Sequence, residues 1–184
     1  DGPLPTPAVS LLTTKGYGLG VVITASHNKH IYNGIKVKQN GRSAPPAVTA
    51  EIENYSAKAA PIRSLPNPPA SVKSFKKVYA GYLNSRLPTA AIMRGLSGPV
   101  VVDFMHGAGA EFSDEILKSK NVIKIRAERD PLFGGIAPEP VEKNLAPLIE
   151  AVKKNKALFG AALDGDGDRF ALVSDKGQYM TPCQ

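Results

Sequence analysis

The sequence predicts an α/β protein built as two consecutive α/β lobes, with mixed, largely parallel sheets flanked by helices. Three observations carry that expectation. Short β-branched runs alternate with helical stretches along the chain. Two of those runs stop abruptly at loops crowded with small and polar residues, Ala25-Ser26-His27-Asn28 and Asp164-Gly165-Asp166-Gly167-Asp168. The 184 residues, 42% of them hydrophobic, can build a core but contain no apolar run of membrane-spanning length.

In chain order, residues 7–16 form a short helix, with Pro7 in its first turn and Gly16 at its end. Gly18 to Thr24 is a buried strand, Ala25 to Asn33 a loop, and Ile35 to Gln39 a strand with alternating faces. Asn40-Gly41 signals a turn. Helices are expected over 47–60 and 71–87, on either side of a Pro-rich crossing from Pro61 to Pro69. A new unit opens near Gly98 with the β run Pro99 to Phe104, followed by a helix through about Lys118 and a strand from Asn121 to Arg126. After a Gly/Pro-rich loop from Asp130 to Pro140 come a helix over 144–155, a strand from Ala157 to Leu163, the aspartate loop, and a strand from Phe170 to Ser174. This alternation assigns a parallel core to the second unit. The lobes are placed at 1–90 and 98–184.

Charge divides the chain. Residues 1–90 hold 11 Lys/Arg and 3 Asp/Glu, a balance of +8, while residues 91–184 hold 12 and 13, a balance of −1. A basic half points to an anionic partner, either a nucleic acid or a phosphorylated small molecule. The bland alternative is solvated lysines. Cys183 is the single cysteine, so no internal disulfide forms and a cytoplasmic setting is expected. The opening Asp1-Gly2-Pro3 shows neither a methionine nor a signal peptide, and reads as mid-chain sequence of something longer.

The aspartate loop carries the most chemistry. Three carboxylates in five residues repel one another unless a cation offsets the repulsion. Hard oxygen donors in this number suit Mg²⁺ or Ca²⁺ better than Zn²⁺. A solvated acidic turn is the plain alternative. An EF-hand needs glycine where Arg169 stands, and helices where the flanks read as strands. A haloacid-dehalogenase-like phosphatase would use Asp164 as nucleophile, but Asp168 replaces the Thr or Val that usually follows. A serine at a strand tip, such as Ser26, can carry a phosphoryl group only with electrostatic help. The metal loop, Arg169 with its planar fork, Lys36 on the next strand and His27 beside the serine could supply that help.

These residues resemble the α-D-phosphohexomutase superfamily of phosphoglucomutases and phosphomannomutases. The matching segments are Thr24-Ala25-Ser26-His27-Asn28, Tyr32-Asn33-Gly34-Ile35-Lys36 and Asp164 to Arg169. Pro5-Thr6-Pro7-Ala8, Phe133-Gly134-Gly135 and Pro138-Glu139-Pro140 are similar to further family segments. The resemblance implies that Ser26 is the phosphoserine and that Asp164, Asp166, Asp168 and an oxygen of that serine hold one Mg²⁺. Arg169 would steady the phosphoserine, and Lys36 would be a general acid/base. It further implies a hexose phosphate substrate, glucose or mannose, interconverted between its 1- and 6-phosphates through a hexose 1,6-bisphosphate. Family members run to four domains. The chain then corresponds to the back of the first and most of the second, and it is expected to be inactive without its missing domains.

Lys29 and His30 stand where many members have proline, a departure that leaves the reactive groups untouched. A basic nucleic-acid module is the competing class, but no interleaved aromatic platform supports it, and neither a nucleic-acid nor a membrane partner is expected. His106-Gly107-Ala108-Gly109 reads as a tight strand-to-helix turn rather than a phosphate cradle, and His30 as a solvated loop residue. Tyr79 and Tyr82 read as core or interdomain packing, and Cys183 receives no role.

Overall fold

A computed structural model describes residues 3–60 and 74–180. Within these the first lobe opens with helix α1 (Thr6–Leu12), started by Pro7 where the missing amide hydrogen costs nothing. It continues through β1 (Gly20–Ile23), β2 (Ile35–Gln39), β3 (Arg42–Ser43) and helix α2 (Pro46–Lys58). The three strands form an antiparallel sheet in the order β1-β2-β3. The parallel character expected from the sequence is therefore confined to the second lobe. Asn40 and Gly41 both have positive φ, 51° and 78°, and close β2 onto β3 as a two-residue hairpin. Gly20 and Val22 pair with Lys38 and Lys36 and share the face under α1. The other face carries Ile23 and its partner Ile35, each 72% exposed.

Helix α3 (Lys76–Arg86) lies between the lobes in sequence and packs on the second one in space. Tyr79 makes an edge-to-face contact with Phe112 at 5.1 Å, and Lys76 pairs with Glu111. Tyr79 is a packing residue as expected, and the ring it meets belongs to the second lobe. Residues 71–73 and the Pro-rich stretch 61–69 lie outside the described residues, as does Cys183.

The second lobe continues with helix α4 (Thr89–Gly95), β4 (Val100–Asp103), a 3₁₀ turn at Ala108–Phe112 and a single helical turn α5 (Ser113–Ile116). The longer helix expected through Lys118 is reduced to these two turns. Then follow β5 (Val122–Ile125), helix α6 (Ala146–Lys154), β6 (Phe159–Leu163), β7 (Phe170–Ser174) and β8 (Tyr179–Met180). The sheet order is β5-β4-β6-β7-β8. β4 is parallel to both β5 and β6, while β6-β7 and β7-β8 are antiparallel. Helix α6 lays Leu148 and Val152, both fully buried, against β4 and β6, over a core that includes Val101, Leu145 and Val173. Buried Asp103 at the end of β4 is held by Arg126, whose Nε donates to Oδ1 at 2.9 Å, so the charge is paired inside the sheet.

Candidate active site at the seam between the lobes

The aspartate loop is the connection of a β-hairpin. Leu163 at the end of β6 pairs with Phe170 at the start of β7, and residues 164–169 turn between them. This flanking geometry is not that of an EF-hand. Asp164 is fully buried and organises the turn. Its Oδ1 accepts the backbone N–H of Asp168 at 2.9 Å and of Arg169 at 3.0 Å, and its Oδ2 accepts Arg169 Nε at 3.2 Å. A carboxylate so engaged is poorly placed to attack as a nucleophile, which weighs against the phosphatase reading. One oxygen from each of Asp164, Asp166 and Asp168 lies within 4.8 Å of the others. Convergence of three hard oxygen donors, two of them buried, fits a divalent cation such as Mg²⁺.

The first lobe delivers the serine to this loop. Thr24 N–H donates to Gly34 C=O at 2.9 Å and closes the loop that carries Ser26, His27 and Asn28. Ser26 has a positive φ of 57°, a conformation that a non-glycine residue holds only when its surroundings fix it. Ser26 Oγ lies 3.1 Å from Asp166 Oδ1 and 3.4 Å from Asp164 Oδ2, and Arg169 Nη2 donates to it at 3.4 Å. Lys36 Nζ sits 2.6 Å from Asp166 Oδ2 and 3.2 Å from Asp168 Oδ2. The structure thus brings Ser26, Lys36, Arg169 and the three aspartates into one cluster. His27 is set apart from these contacts. Its Nε2 faces Glu139 Oε1 at 3.7 Å, and its buried Nδ1 has no partner among the described residues.

The electrostatics of the cluster are uneven. Burial pushes the Asp164 carboxyl above the usual carboxylate range, backbone donors oppose this, and the charges of Asp166 and Asp168 add to the rise. Burial also acts on Asp166, but Lys36, Thr6 and Ser26 outweigh it and hold that carboxyl below its ordinary value. For Lys36, burial favours the neutral amine, yet the two aspartates prevail and raise it. A lysine serving as a base at neutral pH would need the opposite shift. In this arrangement Lys36 is an ammonium, suited to donating a proton or to countering charge.

Four supporting groups lie in segments singled out in the sequence, but their contacts were not foreseen. Thr6 Oγ1 donates to Asp166 Oδ2 at 2.6 Å, and Thr6 N–H donates to Asp166 C=O at 2.8 Å, so the start of α1 grips the aspartate loop. Glu139 faces His27. Gly165 N–H donates to Pro138 C=O at 3.1 Å, and a Cβ on Gly165 would stand 2.6 Å from Ser26 C=O and 2.9 Å from Pro138. Gly107 approaches from below. A side chain there would lie 2.7 Å from Gly165 C=O, and neighbouring Ala108 donates its N–H to that carbonyl at 2.9 Å. The His106–Gly109 segment is the tight turn expected, and its use is to brace the aspartate loop. Its glycine spacing and the proline pairs around residues 5 and 138 were the signals available, but nothing local says what they touch.

Comparison with known proteins agrees with this geometry. The model of phosphoglucomutase/phosphomannomutase α/β/α domain I matches residues 1–63, and that of domain II matches residues 77–177. A probable phosphoglucosamine mutase of Methanothermobacter thermautotrophicus is 34% identical over 184 residues, covering 98% of this chain and 40% of the relative. The phosphoglucosamine mutase of Nitrosospira multiformis is 36% identical, with 96% and 39% covered. The crystal structure of a putative phosphomannomutase from Thermus thermophilus superposes with a TM-score of 0.86 at 32% identity, covering 99% of this chain and 42% of that one. The chain spans about 40% of the length of the curated relatives it matches. By the match of both domains in order, and by a serine loop meeting an aspartate hairpin at their seam, the chain belongs to the phosphoglucomutase/phosphomannomutase family.

Proposed function

We propose that this chain is the phosphoryl-carrying part of a phosphohexomutase, with Ser26 as the carrier. The observation that supports it is the approach of Ser26 Oγ to Asp166 and Asp164, two members of a three-carboxylate cluster. In this reading Asp164, Asp166, Asp168 and an oxygen on Ser26 hold Mg²⁺. That ion supplies charge stabilisation for the transferring phosphoryl group. Ser26 gives its phosphoryl group to a sugar hydroxyl: the serine Oγ–P bond breaks, a P–O bond to the sugar forms, and the proton given up by the sugar hydroxyl is balanced by one taken up at the freed Ser26 Oγ, which ends as a hydroxyl. The reverse transfer from the other end of the bisphosphate restores the phosphoserine. Arg169, whose guanidinium reaches Ser26 Oγ, positions phosphate oxygens through its fork. Lys36 donates a proton or balances charge at the same cluster. His27 is a positioning residue, tying the serine loop to the second lobe through Glu139.

The expectation of glucose or mannose phosphate is broadened here. The relatives named phosphoglucosamine mutase support an amino-sugar phosphate as a third candidate, and the putative phosphomannomutase keeps mannose phosphate in view. No described helix is long and apolar enough to cross a membrane, and a cytoplasmic setting goes with a sugar phosphate substrate. The test has two arms. Phosphopeptide mapping should find phosphate on Ser26, and calorimetry should show tighter Mg²⁺ binding once Ser26 is phosphorylated, because the phosphate adds an oxygen ligand and negative charge. In the longer parent protein, Ser26→Ala should lower turnover of glucosamine, glucose and mannose phosphates by roughly 10³-fold or more, since the covalent carrier is gone. Near-normal turnover by that variant removes the assignment.

A further inference from the structure

A cavity opens at the seam on the α1 side of the aspartate loop. Its volume is about 540 Å³, and its walls come from both sides: Ser10 and Lys15 at and beyond α1, Lys38 of β2, and Tyr79, Tyr82 and Arg86 of α3. Three cations line it. The one acid in its wall, Asp168, is already engaged by Lys36 at 3.2 Å. Among the described residues, Lys15, Lys38 and Arg86 form no ion pair.

Lys38 is the decisive residue. It is 5% exposed, and its Nζ has one hydrogen-bond partner, the Ser43 hydroxyl at 2.9 Å. An ammonium carries three donors, and a buried charge without a counter-charge is expensive. The pairing rule of β2 explains its position. Lys36 and Lys38 share one face of the strand, the first reaching the aspartates and the second lining this cavity while its Nζ donates to Ser43. Arg86 stands over the Tyr82 ring with its guanidinium carbon 5.5 Å from the centroid, which orients the fork on the opposite wall.

We propose that this cavity binds a small phosphate-bearing anion whose oxyanion is shared by Lys38, Lys15 and Arg86. The cavity is roomier than a bare phosphate needs, and Tyr79 and Tyr82 offer the organic remainder of such a molecule a surface with ring faces and hydroxyls. A ligand here bridges α1 and β2 of the first lobe to α3, which packs on the second.

The probe is inorganic phosphate, titrated into the chain by calorimetry at constant ionic strength, with chloride as the control for screening. Arg169→Ala removes the phosphate-directed fork at Ser26 and should leave this affinity within about twofold. Arg86→Gln and Lys38→Met should each weaken it at least tenfold. Lys38→Met should also raise the phosphate-free melting temperature, because it removes a buried uncompensated charge. Unchanged affinity in Arg86→Gln, or no binding at tens of millimolar phosphate, overturns the proposal. So does loss of binding in Arg169→Ala alone, which would place the phosphate at Ser26. If Lys38→Met fails to fold, Arg86→Gln decides, since Arg86 is exposed.

Discussion

The two lobes hold their shapes by different means. The second has a contiguous core in which Val101, Leu145, Leu148, Val152 and Val173 are fully buried between α6 and a five-stranded sheet. The first packs α1 on a three-stranded sheet with small buried apolar side chains, Ala8, Val22, Val37 and Ala44, and leaves Ile23 and Ile35 open on the sheet. Helix α2 buries none of its residues. Yet the first lobe carries Ser26 and Lys36, whose proposed roles need placement to within fractions of an ångström. What fixes them is contact across the seam. Thr6 holds Asp166, Glu139 faces His27, and Gly165 lies against the Ser26 carbonyl. The stiffer lobe serves as the jig on which the softer lobe positions the serine.

Five substitutions grade that contrast. Leu148→Ala removes a fully buried side chain from the second core and should cost about 2–5 kcal/mol, measured by urea unfolding followed by circular dichroism. Val22→Ala, its counterpart in the first lobe, deletes two carbons at a site with less around it and should cost about 1–2 kcal/mol. Equal costs would erase the distinction between the cores. Thr6→Val keeps the shape but removes the hydrogen bond to buried Asp166. A loss of about 1.5–3 kcal/mol is expected for a bond to a charged group, together with weaker Mg²⁺ binding. If unfolding is unaffected, α1 does not grip the loop.

Gly165→Ala tests the seam itself. Its new Cβ would stand 2.6 Å from the Ser26 carbonyl, so the two loops must separate. The expected cost is about 1–3 kcal/mol, accompanied by faster amide exchange in residues 25–33 than in β4 and β6. Exchange that rises equally in both lobes would contradict a jig built on the second. The smallest effect belongs to the open sheet face. Ile23→Thr replaces a side chain that is largely in water already and should change stability by no more than about 0.5 kcal/mol. A loss above about 1.5 kcal/mol in the thermal midpoint analysis would mean that this face is covered in solution.

The sequence by itself determined the local features. The hairpin at Asn40-Gly41 follows from two residues that tolerate positive φ. Residues 170–174 form the strand expected of them, and the serine and aspartate motifs fall in loops at strand ends because β-branched runs stop there. These depend on steric preferences within a few residues, which a string of letters records. Only the tertiary structure decided that the first sheet is antiparallel, that α3 packs on the second lobe, that Lys36 is held as an ammonium by Asp166 and Asp168, and that Thr6, Gly107 and Glu139 serve the site. Thr6 and Asp166 are 160 positions apart, and no local pattern ties a threonine at the start of one helix to a carboxylate in a distant hairpin. That bond exists because both backbones are fixed by packing, so the information for it is spread over every residue that places them.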